Sequence, residues 1–149
     1  MKNLSHRTTN IVLADDDDDD FLFLKSATDH AGSPVNISHV LNWLELLRFL
    51  NKPPLPDIIF LDLNMPIRTG LECLESLREE RKYENVCIII YSTSSAKKDV
   101  DEAYRLGANF YLVKPSTQTE ITRVVNKICG MDMQKLLSQP EKEKFILTA

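Results

Sequence analysis

The chain has 149 residues, 43% hydrophobic and 27% charged, which suits one globular domain with a core that needs no disulfide staples. A net charge of −4 and a pI near 5.4 argue against a nucleic-acid or anionic-membrane surface. Its four glycines (32, 70, 107 and 130) cannot be arranged into a G-x-G-x-x-G turn or a P-loop, which excludes enzymes built on either motif.

The first strand is "IVLA" (11–14), followed by six aspartates, Asp15 to Asp20, and a helical pattern over 20–31 that Gly32 can end. "VNISHV" (35–40) is the second strand and 43–50 the second helix, after which "NKPPLP" makes a stiff connection because proline continues neither helix nor ladder. "IIFLD" (58–62) precedes a helix at 70–82, and "VCIIIY" (86–91) precedes one at 96–106, with Gly107 placed to end it. "FYLV" (110–113) leads to a last helix at 117–129. Thr117 and Glu120 form a capping box there, Ile121, Val124, Val125 and Ile128 form a stripe, and Gly130 suits the C-terminus.

Continuous apolar runs, rather than alternating ones, mark strands covered on both faces. The βα alternation therefore gives a doubly wound α/β domain over 9–129. Residues 130–149 lie beyond the last element and read as a frayed C-terminal tail, with a short docked helix through Leu137 as the alternative.

Cys73, Cys87 and Cys129 are odd in number and form no C-x-x-C pair, so free buried thiols and a reducing compartment follow. "MKNLSHRTTN" has no apolar signal region and no run reaches transmembrane length; a soluble cytoplasmic protein is expected. His6, His30 and His39 have no ligand spacing and read as structural or exposed.

The aspartate run is not an EF-hand loop. Counting from Asp15 puts Asp20 at the glycine position and Ser26 at the glutamate position; counting from Asp16 gives Phe21 and Ala27. Asp17 to Asp19 are equally well read as a solvated acidic stretch, and Asp20 suits the positive end of the first helix. Asp15 and Asp16 differ, because they leave the C-terminal end of a buried strand, the edge where open α/β sheets bind ligands.

The same edge receives Asp62 and Asn64 from strand three, Ser92 and Thr93 from strand four, and Lys114 from strand five. If strands one and three are neighbours, Asp15, Asp16 and Asp62 crowd together. Each carboxylate pair at ~5 Å then costs roughly 3 kcal/mol at an effective dielectric near 20. Hard oxygen ligands without His or Cys favour Mg²⁺ as the compensating cation, and Lys114 adds a further charge. Phosphoryl transfer to an aspartate fits such a site.

Together, "IVLADD", "IIFLDLNMP", "YSTSS", "LGANFYLVKP" and the capped last helix resemble the receiver domain of bacterial two-component response regulators. The resemblance implies a flavodoxin-like (βα)5 fold with strand order 2-1-3-4-5, the order of the chemotaxis receiver. It implies Asp62 as phospho-acceptor, Asp16 as a direct Mg²⁺ ligand, Asp15 through water, and Asn64 through its backbone carbonyl. Ser92 matches the switch hydroxyl, Thr93 the small neighbour of the phosphoryl group, Lys114 the phosphate-pairing lysine, and Tyr111 the switch aromatic. A histidine kinase or phosphotransfer protein would be the donor.

The same resemblance implies a signalling switch rather than an enzyme of turnover. Output would pass to a downstream protein or a second copy of the chain through the 96–129 face, with no nucleic acid or membrane partner. Among single-domain receivers the chain looks most like those serving phytochrome-type or hybrid sensor kinases. Trp43 stands where such domains usually carry glycine, and core packing is the favoured reading. Two rivals remain at this level: a haloacid-dehalogenase-type phosphatase, which needs an acid where Asn64 stands, and an adaptor that works without phosphorylation.

Overall fold

The computed structural model describes residues 7–149, so His6 lies outside the described residues. The five apolar runs become parallel strands β1 (Thr9–Ala14), β2 (Val35–Val40), β3 (Ile58–Leu61), β4 (Cys87–Ser92) and β5 (Phe110–Val113), in the order β2-β1-β3-β4-β5. Residues of β3 and β4 are buried throughout, as continuous apolarity requires, whereas β2 at the sheet's edge is only partly covered.

Successive side chains point to opposite faces, which splits the core in two. Val12, Ile59, Leu61, Ile88 and Ile90 pack under α2 (Trp43–Leu50), α3 (Gly70–Arg78) and α4 (Lys97–Arg105). Ile11, Leu13, Phe60, Ile89 and Tyr91 pack under α1 (Asp18–Asp29) and α5 (Gln118–Cys129). Trp43 is buried in the first cluster, in keeping with packing, and the Arg68 guanidinium sits 5.1 Å from its ring centroid. All three cysteines are free and buried.

Helix ends follow local chemistry, with some departures from the expected bounds. α1 begins two residues earlier than 20 because Asp17 caps it, accepting the Asp19 backbone N–H at 2.8 Å. Its C-cap is His30 rather than Gly32, whose N–H instead donates to the Asn126 side chain. α3 stops at Arg78, short of 82, and a 3-10 turn follows at Arg81–Tyr83. The Arg78 guanidinium donates to the carbonyls of Gly107, Tyr83 and Val86 and to the Asn109 side chain, tying that end of the sheet together. Thr69 and Glu72 form a full capping box at the start of α3. Gly107 takes φ 97° just after α4, a left-handed step that glycine makes without strain.

The segment after Gly130 is not frayed. It forms a short helix, α6 (Met133–Leu137), with Leu136 buried, and then returns along the free edge of β5. There the Tyr111 N–H donates to the Phe145 carbonyl at 3.1 Å, and the Leu147 N–H donates to the Tyr111 carbonyl at 2.8 Å. Phe145 and Leu147 are buried with it. This strap meets the unpaired ladder groups that an edge strand otherwise presents.

Candidate functional site

Because all five strands are parallel, their C-terminal ends meet at one edge, and ladder bonds continue one step past the strands. The Asp15 N–H donates to the Val40 carbonyl at 3.0 Å, the Asp62 N–H to Ala14 at 2.9 Å, and the Lys114 N–H to Ser92 at 2.8 Å. These bonds hold the backbones of Asp15, Asp62 and Lys114 in register with the sheet.

Asp15, Asp16 and Asp62 each present a carboxylate oxygen within 4.8 Å of the others. Asp15 and Asp62 are buried, whereas Asp16 is exposed. The Lys114 ammonium lies 3.0 Å from Asp15, 2.6 Å from Asp20 and 3.7 Å from Asp62, and 5.3 Å from the ring centroid of Tyr91 beneath it. Three carboxylates thus face one ammonium, with that of Asp16 clustered beside two of them, and charge is not balanced. Burial, and then the Asp15 charge, push the Asp62 carboxyl up to about 6, although Lys114 and the Asn64 backbone amide pull the other way. Burial likewise raises Asp15, with the Asp17 N–H and Lys114 opposing it. For Lys114 burial works against the charged form, but hydrogen bonds to Asp20 and Asp15 outweigh it and leave the ammonium more basic than usual.

Anionic excess at a ring of hard oxygens suits a divalent cation such as Mg²⁺, and the donor set of Asp15, Asp16 and Asp62 fits one. The exposed Asp16 leaves the cluster open to solvent on one side.

Ser92, Thr93 and Asn64 sit at the same edge. Leu61 of β3 pairs with Ile90 of β4, so Ser92 and Asp62 stand on neighbouring strands just beyond that pair. Ser92 is fully buried and its Oγ accepts the Ser94 N–H at 3.1 Å, while Thr93 and Asn64 are exposed. Tyr111 pairs with Ile90 across β4 and β5, and its buried hydroxyl donates to the Ser94 carbonyl at 2.8 Å. Ser94 therefore joins the strand-four hydroxyl to the strand-five aromatic, and its own hydroxyl donates to Asp99 of α4 at 2.6 Å.

Sequence reasoning missed four participants. Asp17 is a helix cap, which an acidic residue just before a helical pattern could have signalled. Asp20 binds Lys114, Tyr91 lies under the same ammonium, and His39 Nε2 contacts the Asp15 carbonyl at 2.7 Å while its ring stacks on Phe21. Those three depend on tertiary contacts with no local pattern. Among the described residues no helix is long and apolar enough to cross a membrane.

Comparisons agree with the fold. The family model of the response regulator receiver domain matches residues 11–126. A chemotaxis protein CheY homolog of Campylobacter jejuni is 36% identical over 73 residues, which are 49% of this chain and 56% of that protein. The nitrate/nitrite response regulator NarL of Escherichia coli is 37% identical over 78 residues, 52% of this chain and 35% of the relative. The chain thus spans about half or less of the length of these curated relatives. Among solved structures, response regulator RPA3017 in red light signaling of R. palustris superposes with a TM-score of 0.73 at 28% identity, over 80% of this chain and 90% of that one. Five parallel strands in receiver order, the acidic cluster at their C-terminal edge and the family match lead to one conclusion: the chain belongs to the response regulator receiver domain family of two-component systems.

Proposed function

We propose that this receiver accepts a phosphoryl group on Asp62, from a histidine kinase or a phosphotransfer protein, in a Mg²⁺-dependent reaction. The observation that carries the reading is Asp62 itself: a buried carboxylate beside Asp15 and Asp16, with the Lys114 ammonium 3.7 Å away. An Asp62 oxygen attacks phosphorus, the bond from phosphorus to the donor's nitrogen breaks, and the imidazole leaves with that electron pair.

Asp15, Asp16, Asp62 and the Asn64 backbone carbonyl would hold the ion, which when bound neutralises phosphoryl oxygens. Lys114 pairs with another of those oxygens, Thr93 borders them, and Ser92 donates its hydroxyl proton as a hydrogen bond. By moving inward, Ser92 leaves its contact with the Ser94 N–H and opens space for the ring of Tyr111, whose hydroxyl is held by the Ser94 carbonyl of the same loop. The surface that changes is then built from α4, β5 and α5 (96–129), and a partner protein or a second copy of the chain binds there. A cytoplasmic setting fits the three free cysteines.

A phosphatase would need a general acid two residues beyond the nucleophile, and Asn64 stands there with an amide. The deciding experiment is intact-mass spectrometry after incubation with acetyl phosphate and Mg²⁺. One added phosphoryl group on the wild type, absent from Asp62→Asn, is the expected result. A wild type that never labels would make the domain a phosphorylation-independent adaptor. Sustained turnover of a phosphomonoester would make it an enzyme.

A further inference from the structure

Lys114 makes its shortest contact with Asp20, at 2.6 Å, compared with 3.0 Å to Asp15 and 3.7 Å to Asp62. Asp20 belongs to the first turn of α1, and its side chain is 28% exposed against 11% for Lys114. Its neighbours in that turn, Asp18 and Asp19, are exposed, and neither contacts Lys114. The helical turn aims one of three successive identical side chains at the ammonium. The Tyr91 ring lies beneath the same ammonium, 5.3 Å from it at the centroid.

We infer that Asp20 is a positioning residue that holds Lys114 back from Asp62 in the unphosphorylated domain, and so sets how readily the phosphoryl group is taken up. The inference rests on Asp62 being the acceptor. A phosphoryl group on Asp62 needs the ammonium at its oxygens, so Lys114 must lengthen or leave its contact with Asp20. Asp20 stabilises the resting arrangement and has no matching gain once the phosphoryl group is present. Only such differential contact can shift the balance between two states. Removing the Asp20 charge therefore favours the phosphorylated arrangement. A residue that served only the α1 dipole would affect folding and leave that balance alone.

The test compares wild type, Asp20→Asn and Asp20→Ala with Asp19→Asn, which removes the same charge from the same turn. Two quantities are measured in saturating Mg²⁺: the dissociation constant for beryllofluoride by calorimetry, and the rate of labelling by acetyl phosphate. Both Asp20 variants should bind beryllofluoride about three- to tenfold more tightly and label correspondingly faster, the scale of a partly buried charged hydrogen bond. Asp19→Asn should stay within about twofold of wild type, as a screened surface charge does. The difference should persist at ~0.5 M salt, where diffuse electrostatics are screened. Asp20 variants equal to wild type, weaker than it, or matched by Asp19→Asn would overturn the inference. A wild type that takes up neither beryllofluoride nor phosphoryl would instead overturn the assignment of Asp62.

Discussion

The Phe145 carbonyl accepts the backbone N–H of Tyr111, and the two rings meet edge to face with centroids 6.2 Å apart. Phe145 also packs edge-on to Tyr104 of α4, 5.0 Å between centroids, and Tyr104 donates its hydroxyl to the Pro140 carbonyl. Lys142 pairs with Asp101 of α4, and Gln139 donates to the carbonyls of Tyr104 and Ala108. The strap is thus fastened to α4 and β5, two of the three elements proposed to change on phosphorylation. A partner that seats on the edge of β5 meets the strap first.

Phe145 is the anchor of this arrangement, since it is fully buried and touches both aromatic rings. Phe145→Ala should cost about 3–5 kcal/mol of stability, the range for deleting a buried phenyl ring. Urea unfolding measures that loss. Amide exchange at Tyr111 should accelerate more than at Ile89, whose strand is flanked on both sides. Unchanged stability together with a still-protected Tyr111 amide would show that the strap is held elsewhere.

What could be read from the sequence follows the same division between local and tertiary contacts. Strands β1, β3, β4 and β5 announced themselves because each holds an unbroken apolar run of at least four residues, and their ends placed Asp15, Asp62, Ser92 and Lys114 at one edge. The Thr117 cap and the stripe of α5 were equally legible, since both are written within one or two helical turns. Asp20 was not, because only the angle of α1 separates it from its identical neighbours and its partner is 94 residues away. The strap was misread for a similar reason. "FILTA" carries little pattern of its own, and the place of Phe145 depends on an unpaired edge of β5 that exists only after folding.

Within the acidic run, position should matter more than charge. Asp16 contributes an oxygen to the cluster of 4.8 Å, while Asp18 points to solvent, 86% exposed. Asp16→Asn should weaken Mg²⁺ binding at least tenfold, about 1.4 kcal/mol, whereas Asp18→Asn should change it by less than about twofold, as screened surface charges do. Calorimetric titration of Mg²⁺ into each variant separates the two. Equal losses would mean that the run acts as a diffuse acidic patch.

Gly70 is the residue on which α3 closes against the site. Its N–H donates to the Leu63 carbonyl at 2.9 Å, and a methyl group on its Cα would collide with the Asp62 carbonyl and the Leu63 Cα. Both obstacles are backbone, so neither can rotate aside. Gly70→Ala should destabilise the domain by about 1–3 kcal/mol, as overpacking does, and shift Asp62 enough to slow acetyl phosphate labelling about tenfold. Parallel unfolding and labelling measurements decide it. Wild-type behaviour in both would show that the β3–α3 connection relaxes freely.

The raised Asp62 carboxyl gives the metal-free domain a specific pH dependence. Its folded value of about 6 exceeds the ordinary value of 3.8, so between those limits the folded state binds more protons than the unfolded chain. Stability from this group therefore falls as pH rises through that window, by about 3 kcal/mol in all, with the full penalty present above pH 6. Asp62→Asn removes the titration. In EDTA at pH 7.5 the variant should unfold at higher urea than wild type, and its advantage should shrink towards zero as pH falls to about 4. Excess Mg²⁺ at pH 7.5 should narrow the gap from the other side, by binding the wild-type cluster and stabilising the folded state. A difference that stays constant from pH 4 to pH 7.5 would mean that Asp62 ionises without penalty, and that Lys114 alone suffices to balance it.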